Sequence, residues 1–102
     1  MKADVIDLAH LEAATVGNVA LQREVMTLFF AQSDDLLVRL GAHPEHWRML
    51  AHTLKGSARN VGASAVARAA EQVESVLGDE ASAAAALMDV REALAQTRAA
   101  LR

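Results

Sequence analysis

Cysteine is absent from this chain of 102 residues. Without a thiol, the chain can form neither a disulfide framework nor a thiolate metal site. Long apolar runs are also missing. Although 53% of the residues are apolar, many of these are alanines at helical spacing, and no run reaches the length of a transmembrane helix. The N-terminus lacks the basic segment and apolar stretch of a secretion signal. We therefore expect one soluble, cytoplasmic domain over residues 1–102, with a single hydrophobic core.

A glycine-rich phosphate loop is missing as well. Gly56 and Gly62 fit neither the Gly-x-Gly-x-x-Gly pattern nor the Gly-Lys-Ser/Thr ending of a P-loop, and no strand pattern precedes them. The sequence thus predicts no nucleotide site. We do not expect an enzyme that takes phosphate from ATP.

The charge of the chain is uneven. The net charge is −3, yet residues 45–68 carry four cations and one anion, while the remainder carries six cations and twelve anions. General nucleic-acid binding requires an extended basic face, so this distribution argues against it. A local positive surface on an acidic protein instead fits one docking site for an acidic or phosphorylated partner. Charge alone would also fit an ordinary solvated helix face.

Helix breakers divide the chain into five helical segments, with no internal repeat and no strand-like alternation. Short connections make neighbouring helices antiparallel, so we predict an all-α fold: an antiparallel up-down four-helix bundle with a short N-terminal cover helix. The predicted helices are the first from the cap Asp7 to about Thr15, the second from the cap Asn18 to Leu40 before Gly41, the third from Pro44 to Val61 before Gly62, the fourth from the cap Ser64 to Gly78, and the fifth from Asp79 or Ser82 to the C-terminus.

Apolar residues at three-and-four spacing predict the core. Helix two has two apolar stripes about 100° apart. Either the N-terminal helix covers the second stripe, or part of that stripe is exposed beside His52 as the apolar part of a docking surface. The predicted core residues are Trp47, Leu50, Leu54 and Val61 on helix three; Val66, Ala70, Val73 and Leu77 on helix four; Leu87, Val90, Leu94, Thr97 and Leu101 on helix five; and Leu21, Val25, Leu28, Phe29 and Leu36 on the main stripe of helix two, with Met26, Phe30 and Leu37 on the second.

His52, Lys55 and Gly56 share one side of the third helix. At 100° per residue, Lys55 lies about 60° and Gly56 about 40° from His52. An imidazole is a nucleophile whose charge is adjustable near neutral pH, and a nearby lysine can neutralise a phosphoryl group on it. Glycine costs roughly 1 kcal/mol inside a helix, so Gly56 suggests that a partner needs room to approach His52.

His52 is predicted to face solvent, because the core stripe of its helix is centred about 200° away. Arg48 and Arg59 lie within about 60° of His52 and are candidate docking residues. An ordinary surface histidine is the competing interpretation. We expect surface positions for the remaining histidines and no metal site, because His43 and His46 are three residues apart but have no third ligand at helical spacing. These remaining histidines are His10, His43 and His46.

The motif around His52 resembles the signature of histidine-containing phosphotransfer (HPt) domains, which runs roughly His-x-Leu-Lys-Gly-Ser/Ala with a later glycine. An opening Ile6-Asp7-Leu8 and a long second helix extend the resemblance over nearly the whole chain. The dimerisation helix of a sensor kinase fits less well, because Thr53 stands where that family usually has glutamate and no proline follows. The matching positions are His52, Leu54, Lys55, Gly56, Ser57 and Gly62.

The resemblance implies a phosphoryl carrier that works with response-regulator receiver domains and a hybrid histidine kinase. It implies phosphorylation of His52 at Nε2, stabilisation of the phosphoryl group by Lys55, and access for the partner at Gly56. Mg²⁺ would be held by the receiver, and this chain would need no cofactor. We expect a monomer that binds neither nucleic acid nor membrane.

Glu74 is the residue predicted to orient the imidazole. Helices three and four reverse around Gly62-Ala63; His52 lies eleven residues before Ala63, and Glu74 lies eleven after it. Glu74 also lies nearer the seam than its neighbours, about 75° from the centre of the apolar stripe against about 135° for Glu71. HPt proteins often carry a glutamate or glutamine at this separation from the histidine. The competing interpretation is a surface glutamate that pairs with Arg68 or faces water.

Two other functions remain open from the sequence. A helical adaptor could bind a receiver or a kinase without carrying phosphate, although it would not need the combination of His52, Lys55 and Gly56. The second of these functions is the substrate domain of a chemotaxis-type kinase. Such a kinase would require a dimerisation and ATP-binding region after Arg102.

Overall fold

The computed structural model describes residues 5–42, 44–76 and 79–101. These residues form five α-helices and one 3₁₀ turn and contain no strand, so the predicted all-helical fold is confirmed. No helix in the described ranges is both long and apolar enough to cross a membrane. The elements are α1 (Leu8–Ala14), α2 (Val19–Ala42), the 3₁₀ turn (Pro44–His46), α3 (Trp47–Val61), α4 (Ser64–Ser75) and α5 (Glu80–Ala100).

The helices pack mainly in chain order. α3 has its largest contact with α4, α4 also packs on α5, α2 packs on α3, and α1 touches α3. Their apolar faces meet in one hydrophobic cluster. Its largest fully buried side chains include Leu40, Leu54, Val66, Val73, Val90 and Leu94.

The predicted N-caps are confirmed at three helices. The side chains of Asp7, Asn18 and Asp79 each accept a hydrogen bond from the backbone N–H three residues later, over 3.0, 3.0 and 3.3 Å. Each cap satisfies an N–H group that has no partner within its own helix.

Several predicted helix boundaries are wrong. The third α-helix begins at Trp47 and not at Pro44, because Pro44–His46 form a 3₁₀ turn. The fourth ends at Ser75, before the predicted end at Gly78.

Gly41 does not stop α2, which runs to Ala42. Ser64 is not the cap of α4 but its first residue, and Ala63 occupies the cap position. The Ser64 hydroxyl donates backwards to the Gly62 carbonyl over 3.3 Å, so it is not available to cap the helix. Leu77 and Gly78, where helix four was predicted to end, lie outside the described residues, as does His43.

Most predicted core positions on α3, α4 and α5 are buried. Trp47, Leu87 and Leu101 are only partly buried and pack against the edge of the core. The Trp47 indole N–H donates to the Leu40 carbonyl, which ties the start of α3 to the end of α2. The buried members are Leu50, Leu54, Val61, Val66, Ala70, Val73, Val90, Leu94 and Thr97.

The predicted core face of α2 is wrong in part. Leu21 and Leu28, assigned to the main stripe, are exposed, whereas Met26 and Leu37 of the second stripe are buried. On a helical projection the buried residues are centred between the two stripes, nearer to the second stripe than to the main one. Leu21 and Leu28 are on the far edge of the main stripe, so this rotation turns them toward solvent.

Gly62 joins the α3–α4 turn to the N-terminal segment. Its φ is 80°, a left-handed conformation that ends α3. The backbone N–H of Asp7 donates to the Gly62 carbonyl over 2.7 Å, and the N–H of Ala65 donates to the Val5 carbonyl over 3.1 Å. The ring of His10 also lies 3.0 Å from the Asn60 carbonyl. The N-terminal segment is therefore fixed at the turn between α3 and α4, about 15 Å along α3 from His52.

Candidate functional site

The packing of α3 turns His52 toward solvent. Its neighbours Ala51 and Leu54 are completely buried in the core, whereas the His52 side chain is 72% exposed. Because successive residues of a helix are rotated by 100°, burying the core stripe leaves His52 on the outer face of α3. The imidazole is thus accessible to a large partner.

Glu74 reaches His52 across the seam between α3 and α4. Its Oε2 lies 3.7 Å from His52 Nδ1, while the carboxylate side chain is 22% exposed. This separation is an ion-pair distance, somewhat longer than a hydrogen bond. The structure therefore places a Glu74 oxygen beside Nδ1 of the imidazole ring.

Lys55 contacts the other oxygen of the same carboxylate. Its Nζ lies 2.8 Å from Glu74 Oε1, and the Lys55 side chain is only 15% exposed. The pKa of the Glu74 carboxyl lies below its ordinary value, mainly because of the Lys55 ammonium. His52 also lowers this pKa, whereas burial of the carboxyl raises it. Glu74 is therefore a carboxylate shared between His52 and Lys55.

The pairing of Lys55 with Glu74 was not predicted from the sequence. Glu74 was expected to contact His52 or, in the competing interpretation, Arg68 or water. Lys55 and His52 lie on the same side of α3, and a lysine side chain can extend along the seam toward a carboxylate. That proximity was the available signal, but the helical projection does not show how far a side chain reaches.

Gly56 is exposed and has open space around it. A Cβ added at this position would meet no atom within 4 Å, apart from its own helix backbone. Packing within the described part of the protein thus does not require a glycine here.

The two candidate docking arginines lie in different surroundings. Arg48 lines a shallow cavity of about 450 Å³ together with His52 and Glu74. Arg59 does not line this cavity, and its guanidinium lies 3.9 Å from the Glu71 carboxylate. The structure therefore groups Arg48 with His52 and Glu74, and places Arg59 beside the Glu71 carboxylate.

Met49 was missed by the sequence analysis. It lies one turn before His52, lines the same cavity and is exposed. Its position three residues before the histidine was the signal that could have identified it. An exposed, flexible thioether beside a reactive group is suited to contact the apolar surface of a partner.

The other described histidines have local partners. His10 contacts the Asn60 carbonyl, and His46 Nε2 lies 3.8 Å from a carboxylate oxygen of Glu45. Within the described ranges, no three histidine, aspartate or glutamate side chains converge in a way that could hold a metal ion.

The arrangement is suited to nucleophilic chemistry at Nε2. A carboxylate beside Nδ1 favours the tautomer with its proton on Nδ1, which leaves the Nε2 lone pair free. The same carboxylate stabilises positive charge that develops on the ring. Lys55 supplies a cation within one helical turn of the nucleophile.

Comparison with known proteins identifies a family. The family model described as Hpt domain matches residues 24–101, from the first turns of α2 to the end of α5. Comparisons with curated proteins and with solved structures each gave no match.

Proposed function

This chain belongs to the Hpt domain family, and on that premise we propose that His52 is its phosphorylated residue. The general role of the family is histidine phosphotransfer in phosphorelays, and its members carry phosphoryl groups without kinase activity of their own. The observation that carries the proposal is the Glu74 carboxylate, which lies between His52 Nδ1 and Lys55 Nζ.

The reaction is a displacement at phosphorus. The Nε2 lone pair of His52 attacks the aspartyl phosphate of a receiver domain and forms an N–P bond. The bond between phosphorus and the aspartyl oxygen breaks, and the aspartate leaves as a carboxylate on the receiver. The Nδ1 proton stays on the ring, where Glu74 stabilises the cationic product. The reverse steps return the phosphoryl group to a receiver.

Lys55 and Gly56 have separate roles in this proposal. The Lys55 ammonium stabilises the phosphoryl oxygens, because a charge-assisted contact is stronger than a neutral one. Gly56 leaves clearance beside His52, since nothing within the described part of the chain occupies the space of its missing side chain. The receiver supplies Mg²⁺ and most of the remaining transfer apparatus.

Arg48, Arg59 and Met49 form the proposed docking surface around His52. The two arginines attract the acidic site of a receiver during encounter, and Met49 supplies apolar contact area. The partners are response-regulator receiver domains and a hybrid histidine kinase.

We infer a single domain over residues 1–102: an antiparallel up-down four-helix bundle of α2 to α5, with α1 as its cover helix. The chain-order packing of α2 on α3, α3 on α4 and α4 on α5 supports this arrangement. We further propose that the protein is a cytoplasmic monomer that uses no cofactor of its own and binds neither nucleic acid nor membrane.

Phosphoryl transfer to histidine variants tests the proposal. Purified receiver domains from the same organism are labelled with radioactive acetyl phosphate and incubated with wild-type protein, His52→Gln and the control His46→Gln. We expect acid-labile, base-stable label on the wild type and on His46→Gln, and none on His52→Gln. Labelling of His52→Gln would refute the assignment of the site. If no receiver labels the wild type although one binds it, the protein is an adaptor and not a carrier.

A further inference from the structure

A second concave surface lies between α1, α2 and the end of α5. It has a volume of about 580 Å³ and shares no described lining residue with the cavity at His52. We call it the α2 groove. Its apolar lining residues are Leu8, Leu11, Val19, Met26, Phe30 and Leu101.

The α2 groove is long and open. Its α2 residues extend from Val19 to Phe30 on one face of the helix, which corresponds to about three turns and 16 Å. Leu8 is 58% exposed and Val19 is 60% exposed. A surface this open does not enclose a small molecule. An elongated apolar trough between helices is instead the shape that accepts an amphipathic helix.

Two of the described residues that line the α2 groove are charged, and both are arginines, Arg23 and Arg98. The Arg98 guanidinium lies 4.6 Å from the centre of the Phe30 ring and 2.8 Å from Asp34, so its position is fixed by contacts within the protein. Arg23 is exposed and forms no ion pair with any described residue. The groove is therefore a locally cationic apolar surface on a protein of net charge −3.

We propose that the α2 groove binds an acidic amphipathic helix of a partner protein. Apolar side chains at three-and-four spacing on that helix would contact Val19, Met26 and Phe30, while a carboxylate pairs with Arg23. Because the groove is separate from His52, such a partner can remain bound while a receiver docks.

This proposal is tested by titrating the protein with peptides of opposite charge and by reversing the charge of Arg23. The probes are two synthetic 16-residue helical peptides with identical leucines at three-and-four spacing, one with glutamates and one with lysines on the flanking positions. Binding is followed by the amide NMR signals of wild-type protein, Arg23→Glu and the control Arg91→Glu. Arg91 is an exposed arginine of α5 that does not line the groove, so both variants change the net charge equally.

We expect the acidic peptide to shift the signals of Val19, Met26 and Phe30 in the wild type and in Arg91→Glu. Arg23→Glu should weaken its binding about threefold or more and should strengthen binding of the lysine peptide. Equal binding of both peptides by the wild type, or no shift at millimolar acidic peptide, would overturn the proposal.

Two further outcomes would assign the groove to a different occupant. Displacement of the acidic peptide by dodecanoate below its micelle concentration would identify a fatty-acid site. Signal shifts in the same residues when the protein alone is concentrated would identify a contact between two copies. Phosphorylation of His52 should be unchanged in Arg23→Glu, so this proposal can fail without affecting the proposed carrier function.

Discussion

At the scale of single residues, the Glu74 carboxylate connects His52 to Lys55. Replacing it by alanine in Glu74→Ala removes the group beside Nδ1, so the imidazole should lose its preference for the tautomer that leaves Nε2 free. An ion pair with a largely exposed partner contributes roughly 0.2–1 kcal/mol, so we expect phosphorylation of His52 to slow by about two- to fivefold. The tautomer ratio is measured by ¹⁵N NMR of the ring, and the rate by transfer from a labelled receiver.

Glu71→Ala is the matched control for Glu74→Ala. Glu71 is an exposed glutamate on the same helix, and it faces Arg59 at 3.9 Å instead of His52. The substitution changes the net charge equally but should leave the tautomer ratio and the phosphorylation rate unchanged. If both variants slow phosphorylation to the same extent with no change of tautomer, Glu74 acts only through the general charge of the surface.

The Lys55–Glu74 pair makes the stability of the protein depend on pH. Lys55 is the main cause of the lowered pKa of Glu74, so the carboxylate stabilises the fold above its unfolded pKa of about 4.3. That contribution is lost as the pH falls through the lower pKa of the folded state. Lys55→Met removes the charge and keeps an apolar stem in a side chain that is largely buried. The difference in unfolding free energy between wild type and Lys55→Met should be largest at pH 7 and should shrink toward pH 3.

Urea unfolding at pH 7, 5 and 3 measures this difference. A value that stays constant over this range would show that the Lys55 charge stabilises the fold independently of Glu74. Phosphohistidine decay in Lys55→Met provides a separate readout. The lifetime should shorten, because the phosphoryl oxygens lose a cationic partner.

The contacts of Glu74 with His52 and with Lys55 differ in how well the sequence predicts them. The proximity of Glu74 to His52 follows from two backbone properties, the distance of each residue from the turn and its angle on the helix. The contact of Lys55 with Glu74 depends on the direction of a long side chain, which neither property determines. Their functional roles remain predictions, because geometry does not measure transfer.

At the scale of helices, Gly62 and Gly56 are expected to respond in opposite directions to the same substitution. In Gly62→Ala, the residue must keep a φ of 80°, and its Cβ would lie 2.7 Å from the Asp7 carbonyl oxygen. Strain of this kind costs roughly 1–3 kcal/mol, so this variant should be clearly less stable. In Gly56→Ala, the new methyl group meets no atom within 4 Å. The higher helix propensity of alanine should stabilise this variant by up to about 1 kcal/mol.

Chemical unfolding of both variants, with wild type as reference, measures the two effects. A stable Gly62→Ala would show that the N-terminal segment can leave the α3–α4 turn at little cost. Phosphoryl transfer then separates stability from function at Gly56. If Gly56→Ala is more stable yet accepts phosphate more slowly, the glycine serves the partner; transfer at the wild-type rate would contradict the clearance role.

α2 shows why a helix can be predicted while its orientation is not. Asn18 and the long apolar pattern predict a helix from about this residue, and α2 does begin at Val19. The two stripes, however, offered two competing faces. The face that is buried depends on how α2 packs against its neighbours, and the result lies between the stripes, with Leu28 exposed and Met26 buried. A pattern within one helix does not contain that information.

At the scale of the whole molecule, the all-helical fold is predictable because helix breakers and caps are local signals. Gly62 ends α3, and Asp79 caps α5, as expected from their residue types. The α2 groove could not be predicted in the same way. It is formed jointly by α1, α2 and the end of α5, and its existence depends on how α5 packs relative to two helices that lie far from it in the sequence.

The uneven charge of the molecule leads to a last prediction, about association with a receiver. Arg48 lines the cavity at His52 and forms no ion pair with any described residue, whereas Arg59 is partly neutralised by Glu71 at 3.9 Å. Arg48→Ala should therefore lower the association rate at low salt by about two- to fivefold and flatten its dependence on ionic strength. Arg59→Ala should have a smaller effect, and the control Arg91→Ala should have none. The measurement is stopped-flow association at several salt concentrations, with a receiver that labels His52. Equal effects of all three substitutions would mean that the net charge of −3, and not a local surface on α3, governs the encounter.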